Sequence, residues 1–219
     1  MPSPFDQSMY QVRLDWGTAG LARLAPVDVV VVVDVLRFSS TVIDATASGV
    51  EVVLSEAETW SRNGAAVAAA ASPEAIVLVG GLRNASAVAR VVQTIQEHRQ
   101  ARTAVAVIAA GELDDAGVLR FAVEDQLGAG AIVSALSDRG IDHTAPDAAV
   151  AAEGFRALRS ALRHMVGASG SGRELVEGVA ATARIETAGL VPTEVKDAAA
   201  VDAADVVPVL RDGSFVRFD

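Results

Sequence analysis

The chain contains no cysteine and only three histidines among its 219 residues. The lack of cysteine excludes thiol catalysis, disulfide bonds and cysteine-ligated zinc or iron–sulfur sites. Basic residues are also few, since 18 lysines and arginines stand against 28 acids and the formal net charge is −10. This balance argues against a broad nucleic-acid or anionic-membrane surface, and an anionic small molecule would need a local positive pocket.

Several familiar signals are missing as well. The N-terminal residues do not form a basic-then-apolar leader, and the longest valine run is far shorter than the roughly 20 apolar residues of a membrane span, so we expect a cytoplasmic protein. The absence of a Gly-x-Ser-x-Gly elbow and of a Gly-Lys-Ser/Thr loop disfavours serine acyl transfer and P-loop nucleotide hydrolysis. We interpret His98, His143 and His164 as surface or packing residues, because none lies at a predicted strand end.

What the chain does have is apolar content, since 51% of it is hydrophobic and only 21% is charged. Valine-rich runs alternate with alanine-rich stretches, which predicts a layered α/β/α fold with a largely parallel or mixed sheet, or two similar α/β lobes. Strands are predicted at 29–33, 51–54, 75–79 and 104–109, with a hairpin within 206–216 that turns at Asp212-Gly213. Helices are predicted at 39–48, 65–71, 85–99, 116–136, 146–165 and 173–183, with a turn or link at 167–172.

The most informative segment is 29–41, which reads VVVVVDVLRFSST. Its five valines suit a central parallel strand that is covered by helices on both faces. At the end of this strand Asp34 could hold a hard cation, and Arg37 could bind an oxyanion with its two-pronged guanidinium. The hydroxyls of residues 39–41 could cap a helix whose free N–H groups attract anions. An ordinary strand end with capping residues explains the same pattern, so both interpretations stay open here.

Residues 76–89, IVLVGGLRNASAVA, repeat this plan, and Arg83 mirrors Arg37. Two such units would bring two arginines and two helix starts to the carboxyl ends of parallel strands, where open α/β sheets bind ligands. The alternative is a chance likeness between two strand–helix turns, because helix starts share residue preferences.

Acidic residues follow a third predicted strand. Glu112 comes directly after the apolar run 104–110, and Glu124 and Asp125 lie on the next predicted helix. Magnesium prefers oxygen ligands and keeps several waters, so two or three carboxylates beside a phosphate form a minimal site. A cation between them would also relieve their repulsion. The competing interpretation is that Glu124 and Asp125 lie on a solvated helix face.

These motifs resemble, in order, those of the 2-phosphosulfolactate phosphatase family. Residues 34–41, DVLRFSST, followed by Gly49-Val50, resemble its D-x-L-R-A-T-[ST]-T signature, and Asn63-Gly64 resembles part of its T-T-N-G-T element. Its L-x-N-A-x-A-V-A element resembles 82–89, its A-G…E-D…A-G run resembles 110–112, 124–125 and Gly130, and its closing segment resembles 171–178 and 205–208. The resemblance covers nearly the whole chain, taken as one α/β unit, 1–219, with an internal duplication around 29–48 and 75–99 left open.

The resemblance implies magnesium-dependent hydrolysis of (2R)-phospho-3-sulfolactate to 3-sulfolactate and phosphate. It implies that magnesium is held by Asp34, Glu112, Glu124 and Asp125. The substrate contacts that it implies are Arg37, Ser39, Ser40, Thr41, Asn63, Gly64, Arg83 and Asn84. The catalytic residues would be Asp34, Arg37 and Glu112.

The chain departs from the family pattern between Trp60 and Ser61, where a longer stretch with a Gly-x-x-x-Gly-Asn-Ser-Pro element is absent. Residues 61–65 also read SRNGA in place of T-T-N-G-T. Two functions therefore stay open: a phosphatase that acts on a small phosphate monoester, and a catalytically impaired relative that only binds an anion. The sequence predicts no nucleic-acid or membrane partner, and it leaves open a homodimer and the nucleophile, which is either water or Asp34.

Overall fold

The computed structural model describes residues 3–114, 116–178 and 180–219. The strands are β1 (Val12–Trp16), β2 (Val29–Val33), β3 (Val52–Val53), β4 (Ile76–Gly80), β5 (Val105–Ala109), β6 (Glu112–Leu113), β7 (Leu119–Arg120), β8 (Pro208–Arg211) and β9 (Ser214–Arg217). The helices are α1 (Gly17–Arg23), α2 (Ser40–Ala47), α3 (Leu54–Trp60), α4 (Gly64–Ala69), α5 (Ala85–Arg99), α6 (Val123–Ser137), α7 (Pro146–Leu158), α8 (Leu162–Ala168), α9 (Gly170–Glu177), α10 (Ala180–Thr187) and α11 (Val195–Ala198).

Seven strands form one mixed sheet in the order β1-β5-β2-β4-β8-β9-β3. The first four in this order run parallel, whereas β8, β9 and β3 pair in antiparallel fashion. The two repeated strand–helix segments lie side by side in this sheet, because β2 pairs directly with β4. The predicted layered α/β fold with a mixed sheet is therefore confirmed.

Strand β2 lies inside the sheet, between β5 and β4. Its valines alternate between two apolar clusters, with Val29, Val31 and Val33 on one face and Val30 and Val32 on the other. Both faces are buried, as expected for a parallel strand between two helical layers. The five-valine run thus positions Asp34 at the carboxyl end of a rigid, fully covered strand.

The predicted strands and the C-terminal hairpin agree with the structure to within about two residues, and the predicted helix 85–99 matches α5. The prediction missed β1, α1, α3 and α11. The first two lie where the sequence has only weak periodicity, and the other two are short. The predicted helix 146–165 is divided into α7 and α8 by a tight turn at Arg159–Ala161.

The predicted helix 116–136 is wrong in its first part, because α6 begins at Val123. The preceding residues form a hairpin of β6 and β7. Asp114 organises its turn, since one carboxylate oxygen accepts hydrogen bonds from the amides of Ala116 at 2.9 Å and Val118 at 2.8 Å. Gly117 supplies the positive φ of 75° that the turn requires.

The predicted link at 167–172 is mostly helical. Only Ser169 separates α8 from α9, and its hydroxyl caps α9 by accepting from the amide of Gly172 at 3.1 Å. A side chain at Gly172 would lie 2.1 Å from the carbonyl oxygen of Val166, so glycine permits the close approach of the two helices. The predicted helix 173–183 corresponds to parts of α9 and α10, and residue 179 lies outside the described residues. Among the helices within the described ranges, none has the length and apolar character needed to span a bilayer.

Candidate active site

A cavity of about 60 Å³ lies at the carboxyl ends of β2 and β5. Its polar lining consists mainly of Asp34, Arg37, Arg62, Asn63, Glu112 and Arg184. Four of these residues are among those named from the sequence, and they come from three separate loops. A much larger surface cavity of about 670 Å³ lies near Trp16 and Phe121, but it contains none of the predicted site residues.

Asp34 is 6% exposed and accepts hydrogen bonds on both carboxylate oxygens. Oδ1 accepts from the amide of Phe38 at 3.3 Å, and Oδ2 accepts from the amide of Gly64 at 3.0 Å. The second contact joins the end of β2 to the start of α4. The short connection between α3 and α4, where the chain departs from the family pattern, thus brings Asn63 and Gly64 directly to Asp34.

The segment Val35–Ser39 is an irregular helical turn in which Leu36 departs from helical geometry and its peptide bond to Arg37 is cis. Ser39 Oγ accepts from the amide of Asp34 at 3.0 Å, and Ser40 Oγ donates to the carbonyl of Val35 at 2.8 Å. Both hydroxyls therefore stabilise the turn. The prediction that these hydroxyls cap α2 is wrong for Ser39, whose side chain makes no capping hydrogen bond to that helix.

Thr41 is 1% exposed, and its hydroxyl has no hydrogen-bond partner among the described residues. None of the three hydroxyl residues lines the cavity. The hydrogen bonds of Ser39 and Ser40 instead shape the turn that carries Asp34 and Arg37.

Arg37 contributes a largely buried positive charge to the cavity, since its side chain is only 9% exposed. Its Nη2 lies 3.6 Å from a carboxylate oxygen of Glu174, whereas Nη1 is buried without a hydrogen-bond partner among the described residues. Asn63 Oδ1 is likewise buried and unsatisfied within the described part of the chain. Unsatisfied buried polar atoms carry a free-energy cost, so two of them beside one cavity suggest that a ligand completes their hydrogen bonding.

Asp125 is 2% exposed and lies behind the cavity rather than in its lining. Oδ1 accepts from the amide of Val35 at 2.7 Å, and Oδ2 accepts from the amide of Gly111 at 2.9 Å. These two amides belong to the residues that flank Asp34 and Glu112 in sequence. Asp125 therefore connects the two strand ends that carry those carboxylates.

Glu112 lines the first cavity and also a second one of about 190 Å³. The second cavity is bordered by Glu124, which is 2% exposed, and by Arg120, Ser169 and Ser171. Neither Glu124 nor Asp125 is solvated, so the interpretation of these acids as an exposed helix face is wrong.

The pKa values of three of these acids are raised. Burial raises the pKa of Asp34 to about 7. The hydrogen bond from the amide of Phe38 lowers this pKa in part, and the charge of Glu112 adds to the rise. Burial also raises the pKa of Asp125 well above its usual range, with further contributions from Asp34 and Glu124. Burial raises the pKa of Glu112 as well, and the charge of Glu174 adds to it. Burial therefore disfavours the charged forms of these three carboxyls, and the charges of neighbouring acids add to the effect.

Arg83 and Asn84 lie outside the cavity lining. Arg83 pairs with Asp44 on α2, and Asn84 is fully buried. The Asn84 amide group donates to the carbonyls of Val79 at 3.2 Å and Val206 at 2.9 Å, which holds the end of β4 against the approach to β8. The repeat of the Leu-Arg plan thus produces two neighbouring turns in the sheet, but only Arg37 reaches the cavity.

Sequence reasoning did not single out Arg184 or Glu174 as site residues. Arg184 reaches the cavity from α10, and Glu174 reaches Arg37 from α9. Neither residue lies at a strand end or in a recognisable motif, so only the packing of these helices brings them to the site. Arg62 was visible in the sequence as a change from the family pattern.

The acids and the arginine lie at the carboxyl ends of neighbouring parallel strands, the place where open α/β sheets usually bind ligands. The family model described as 2-phosphosulpholactate phosphatase matches residues 57–213, which is well over half of the chain. The chain belongs to this family. The matched range contains Asn63, Glu112 and Asp125, whereas Asp34 and Arg37 precede it and join the site through the fold. No curated protein matches the chain.

The acids at this site fit a magnesium ion only in a sparse arrangement. Within the described ranges no group of three or more histidine or acidic side chains is arranged to hold a metal ion. Asp34 and Glu112 nevertheless line one cavity, so two carboxylates of the kind that magnesium prefers lie at the same place. Magnesium commonly binds through one or two carboxylates together with waters and substrate phosphate. Two carboxylates therefore suffice.

Proposed function

We propose that the protein is a magnesium-dependent phosphatase that hydrolyses a small anionic phosphate monoester, as 2-phosphosulfolactate is. The observation that carries this proposal is the buried Nη1 of Arg37, which has no hydrogen-bond partner in the part of the chain that the structure describes and belongs to a residue lining the same cavity as Asp34 and Glu112. A guanidinium of this kind binds phosphate oxygens strongly, because its hydrogen bonds are charge-assisted and two-pronged. The net charge of −10 supports a small substrate rather than a nucleic acid.

The cavity suits the phosphoryl group itself. At about 60 Å³ it accommodates little more than one phosphate, so the organic part of a substrate extends beyond it. Arg37 would bind the phosphoryl oxygens from the β2 side, and Asn63 would contact them from the start of α4. Arg62 and Arg184 border the same cavity and add positive charge around the anion.

Asp34 and Glu112 would hold the magnesium ion. Glu124 lines the second cavity together with Glu112. When bound to Asp34 and Glu112, the ion withdraws charge from the phosphoryl group and lowers the barrier to attack at phosphorus. Arg37 stabilises the charge that remains on the phosphoryl oxygens as the ester bond breaks.

Asp34 is the group best suited to move a proton. Without magnesium its pKa is raised to about 7, close to the pH at which an acid–base catalyst works most effectively, and bound magnesium would lower that value and favour the carboxylate that accepts the proton. Water attacks phosphorus and gives a proton to Asp34, and the phosphorus–oxygen ester bond breaks. The departing oxygen takes a proton from solvent and leaves as the alcohol, and Asp34 returns its proton to solvent. A phosphorylated Asp34 trapped by rapid acid quench would instead assign Asp34 as the nucleophile.

The test is phosphate release from phosphosulfolactate and a panel of small phosphomonoesters, with and without magnesium. Wild-type protein should release phosphate only with magnesium, and Asp34→Asn should be inactive. Asp205→Asn is the matched control, since Asp205 is an exposed acid that pairs with Arg90 on the surface. Release by the wild type that is no faster than by Asp34→Asn would overturn the proposal.

The second candidate is a relative that binds an anion without hydrolysing it. The feature that favours it is the short connection between α3 and α4, where the family's longer stretch is absent. Such a protein would bind phosphate in a way that depends on Arg37 and would show no turnover on the whole panel. Calorimetric titration with inorganic phosphate, combined with the release assay, separates the two functions.

A further inference from the structure

Asp125 lies behind the candidate site, where it contacts the backbone beyond the ends of two paired strands. Strands β2 and β5 pair up to Val33 and Ala109, and the last backbone bond between them runs from the amide of Ala110 to the carbonyl of Val33 at 2.8 Å. Beyond this point the two strands diverge. Past the paired region, the amides of Val35 and Gly111 both donate to the carboxylate of Asp125, at 2.7 and 2.9 Å.

We propose that Asp125 is a positioning residue that fixes the carboxylates of Asp34 and Glu112 relative to one another and does not itself bind the metal ion. The inference rests on the proposed phosphatase function. Val35 follows Asp34 and Gly111 precedes Glu112, so one carboxylate sets the position of both. Asp34 and Glu112 line the cavity, whereas Asp125 lies behind it, and each oxygen of Asp125 accepts from a backbone amide next to one of those two acids.

The helix that carries Asp125, α6, packs closely against its neighbours. A Cβ at Gly128 of α6 would lie 2.6 Å from Val35 Cγ2, and one at Gly130 would lie 2.1 Å from the carbonyl oxygen of Ala151 on α7. The backbone of α6 thus packs against both the turn after β2 and the neighbouring helix. Asp125 lies in the first turn of α6, so its carboxylate has little freedom to follow a displaced loop.

Asp125→Asn tests the proposal, because the side-chain amide keeps one acceptor oxygen and presents an N–H₂ group to a backbone N–H. We expect kcat to fall by about 10- to 100-fold, as a misplacement of catalytic groups by about 1 Å produces. The KM and the magnesium concentration that gives half-maximal activity should change by less than about threefold, since the ligands themselves remain. Asp138→Asn is the matched control, because Asp138 is the exposed C-cap of the same helix.

Two measurements do not depend on turnover. In wild-type protein the ¹³C carboxyl resonances of Asp34 and Glu112 should move on magnesium titration, whereas that of Asp125 should move much less. In Asp125→Asn the amides of Val35 and Gly111 should lose protection from hydrogen exchange, while those in the centre of β2 keep it. The carboxyl measurement needs no variant, so it holds even if Asp125→Asn does not fold.

Three results would overturn the proposal. Magnesium binding that is at least tenfold weaker in Asp125→Asn, with activity restored by excess magnesium, would make Asp125 a ligand. A lower melting temperature with kcat unchanged would reduce Asp125 to a purely structural role. Unchanged exchange of both amides would contradict the bridge itself. A wild-type protein without phosphatase activity would refute the proposed function instead, and the two spectroscopic measurements would still report on the bridge.

Discussion

Gly64 packs more tightly against the candidate site than any side chain would allow. A Cβ at this position would lie 2.5 Å from Phe38 Cδ1 and 2.8 Å from Asp34 Oδ2. Non-bonded carbon atoms normally stay about 3.5–4.0 Å apart, so Gly64→Ala forces a movement of roughly 1 Å. Phe38 cannot supply it easily, because it is 1% exposed and packs against the rings of Trp60 and Phe215 at 5.7 and 5.6 Å.

The magnitude follows from two contributions of the same sign. Overpacking a closed core costs about 1–3 kcal/mol. Displacement of the Gly64 amide from Asp34 loses a hydrogen bond to a carboxylate, worth about 1.5–3 kcal/mol. The better helix propensity of alanine at the start of α4 returns at most about 1 kcal/mol. We therefore expect Gly64→Ala to lower the free energy of unfolding by about 2–4 kcal/mol and to abolish most phosphate release.

Denaturant unfolding followed by circular dichroism, with the phosphate-release assay alongside, measures both effects. Gly154→Ala is the matched control, since Gly154 lies inside α7 and a Cβ there meets no atom within 4 Å. That variant should gain up to about 1 kcal/mol from helix propensity and keep full activity. Equal unfolding midpoints for the two alanine variants, with equal activity, would refute the packing of Gly64 against Asp34.

Three further predictions concern charge. Arg37→Ala should weaken phosphate binding at least about tenfold in calorimetric titration, because a charge-assisted contact worth about 1.5 kcal/mol or more is lost. Arg83→Ala should leave that affinity unchanged, since Arg83 pairs with Asp44 away from the cavity. Equal losses of affinity in both variants would contradict the placement of the site. Because folding raises the pKa of Asp34 to about 7, the folded state binds more protons, and the free energy of unfolding should fall as pH rises from about 4 to about 7, by up to about 4 kcal/mol. Asp34→Asn should flatten that fall in denaturant titrations at several pH values, and an unchanged slope would show that Asp34 is not the group responsible. Magnesium should lower the apparent pKa of Asp34 and so raise the stability at pH 7 relative to chelator-treated protein, and a magnesium-independent unfolding midpoint would contradict binding at Asp34.

Much of the central sheet could be predicted because its strands are dense in valine. The run at 29–33 has no polar residue on either face, and such a run is stable only between two helical layers. The strand Val12–Trp16 escaped prediction, because VRLDW mixes charged and apolar residues without a long run. The start of α6 was also predicted wrongly, since Ala116 and Leu119 favour a helix locally, whereas Asp114 and the positive φ of Gly117 make a turn.

At the site, the sequence identified the residue types and the strand ends, but not which side chains face the cavity. Arg37 and Arg83 occupy equivalent positions in two repeated segments, and no local pattern distinguishes them. The difference arises from neighbours that are distant in sequence: Asp44 engages Arg83 away from the cavity, whereas Arg37 lies beside Asn63 and Glu112 in the cavity lining. In the same way, the sequence placed Asp125 among acids, but only the fold brings two backbone amides to its oxygens.

The sequence alone therefore determined the fold class, the central strand that ends in Asp34, and the order of family motifs along the chain. These properties depend on composition and on local periodicity, which a chain carries before it folds. The tertiary structure decided that Asn63 and Glu112 join Asp34 and Arg37 in one cavity, that the serines after Arg37 hold the turn, and that Asp125 bridges two strand ends. The reason is physical: hydrogen bonds and burial between distant segments depend on how the helices pack on the sheet, and that packing is a property of the whole chain.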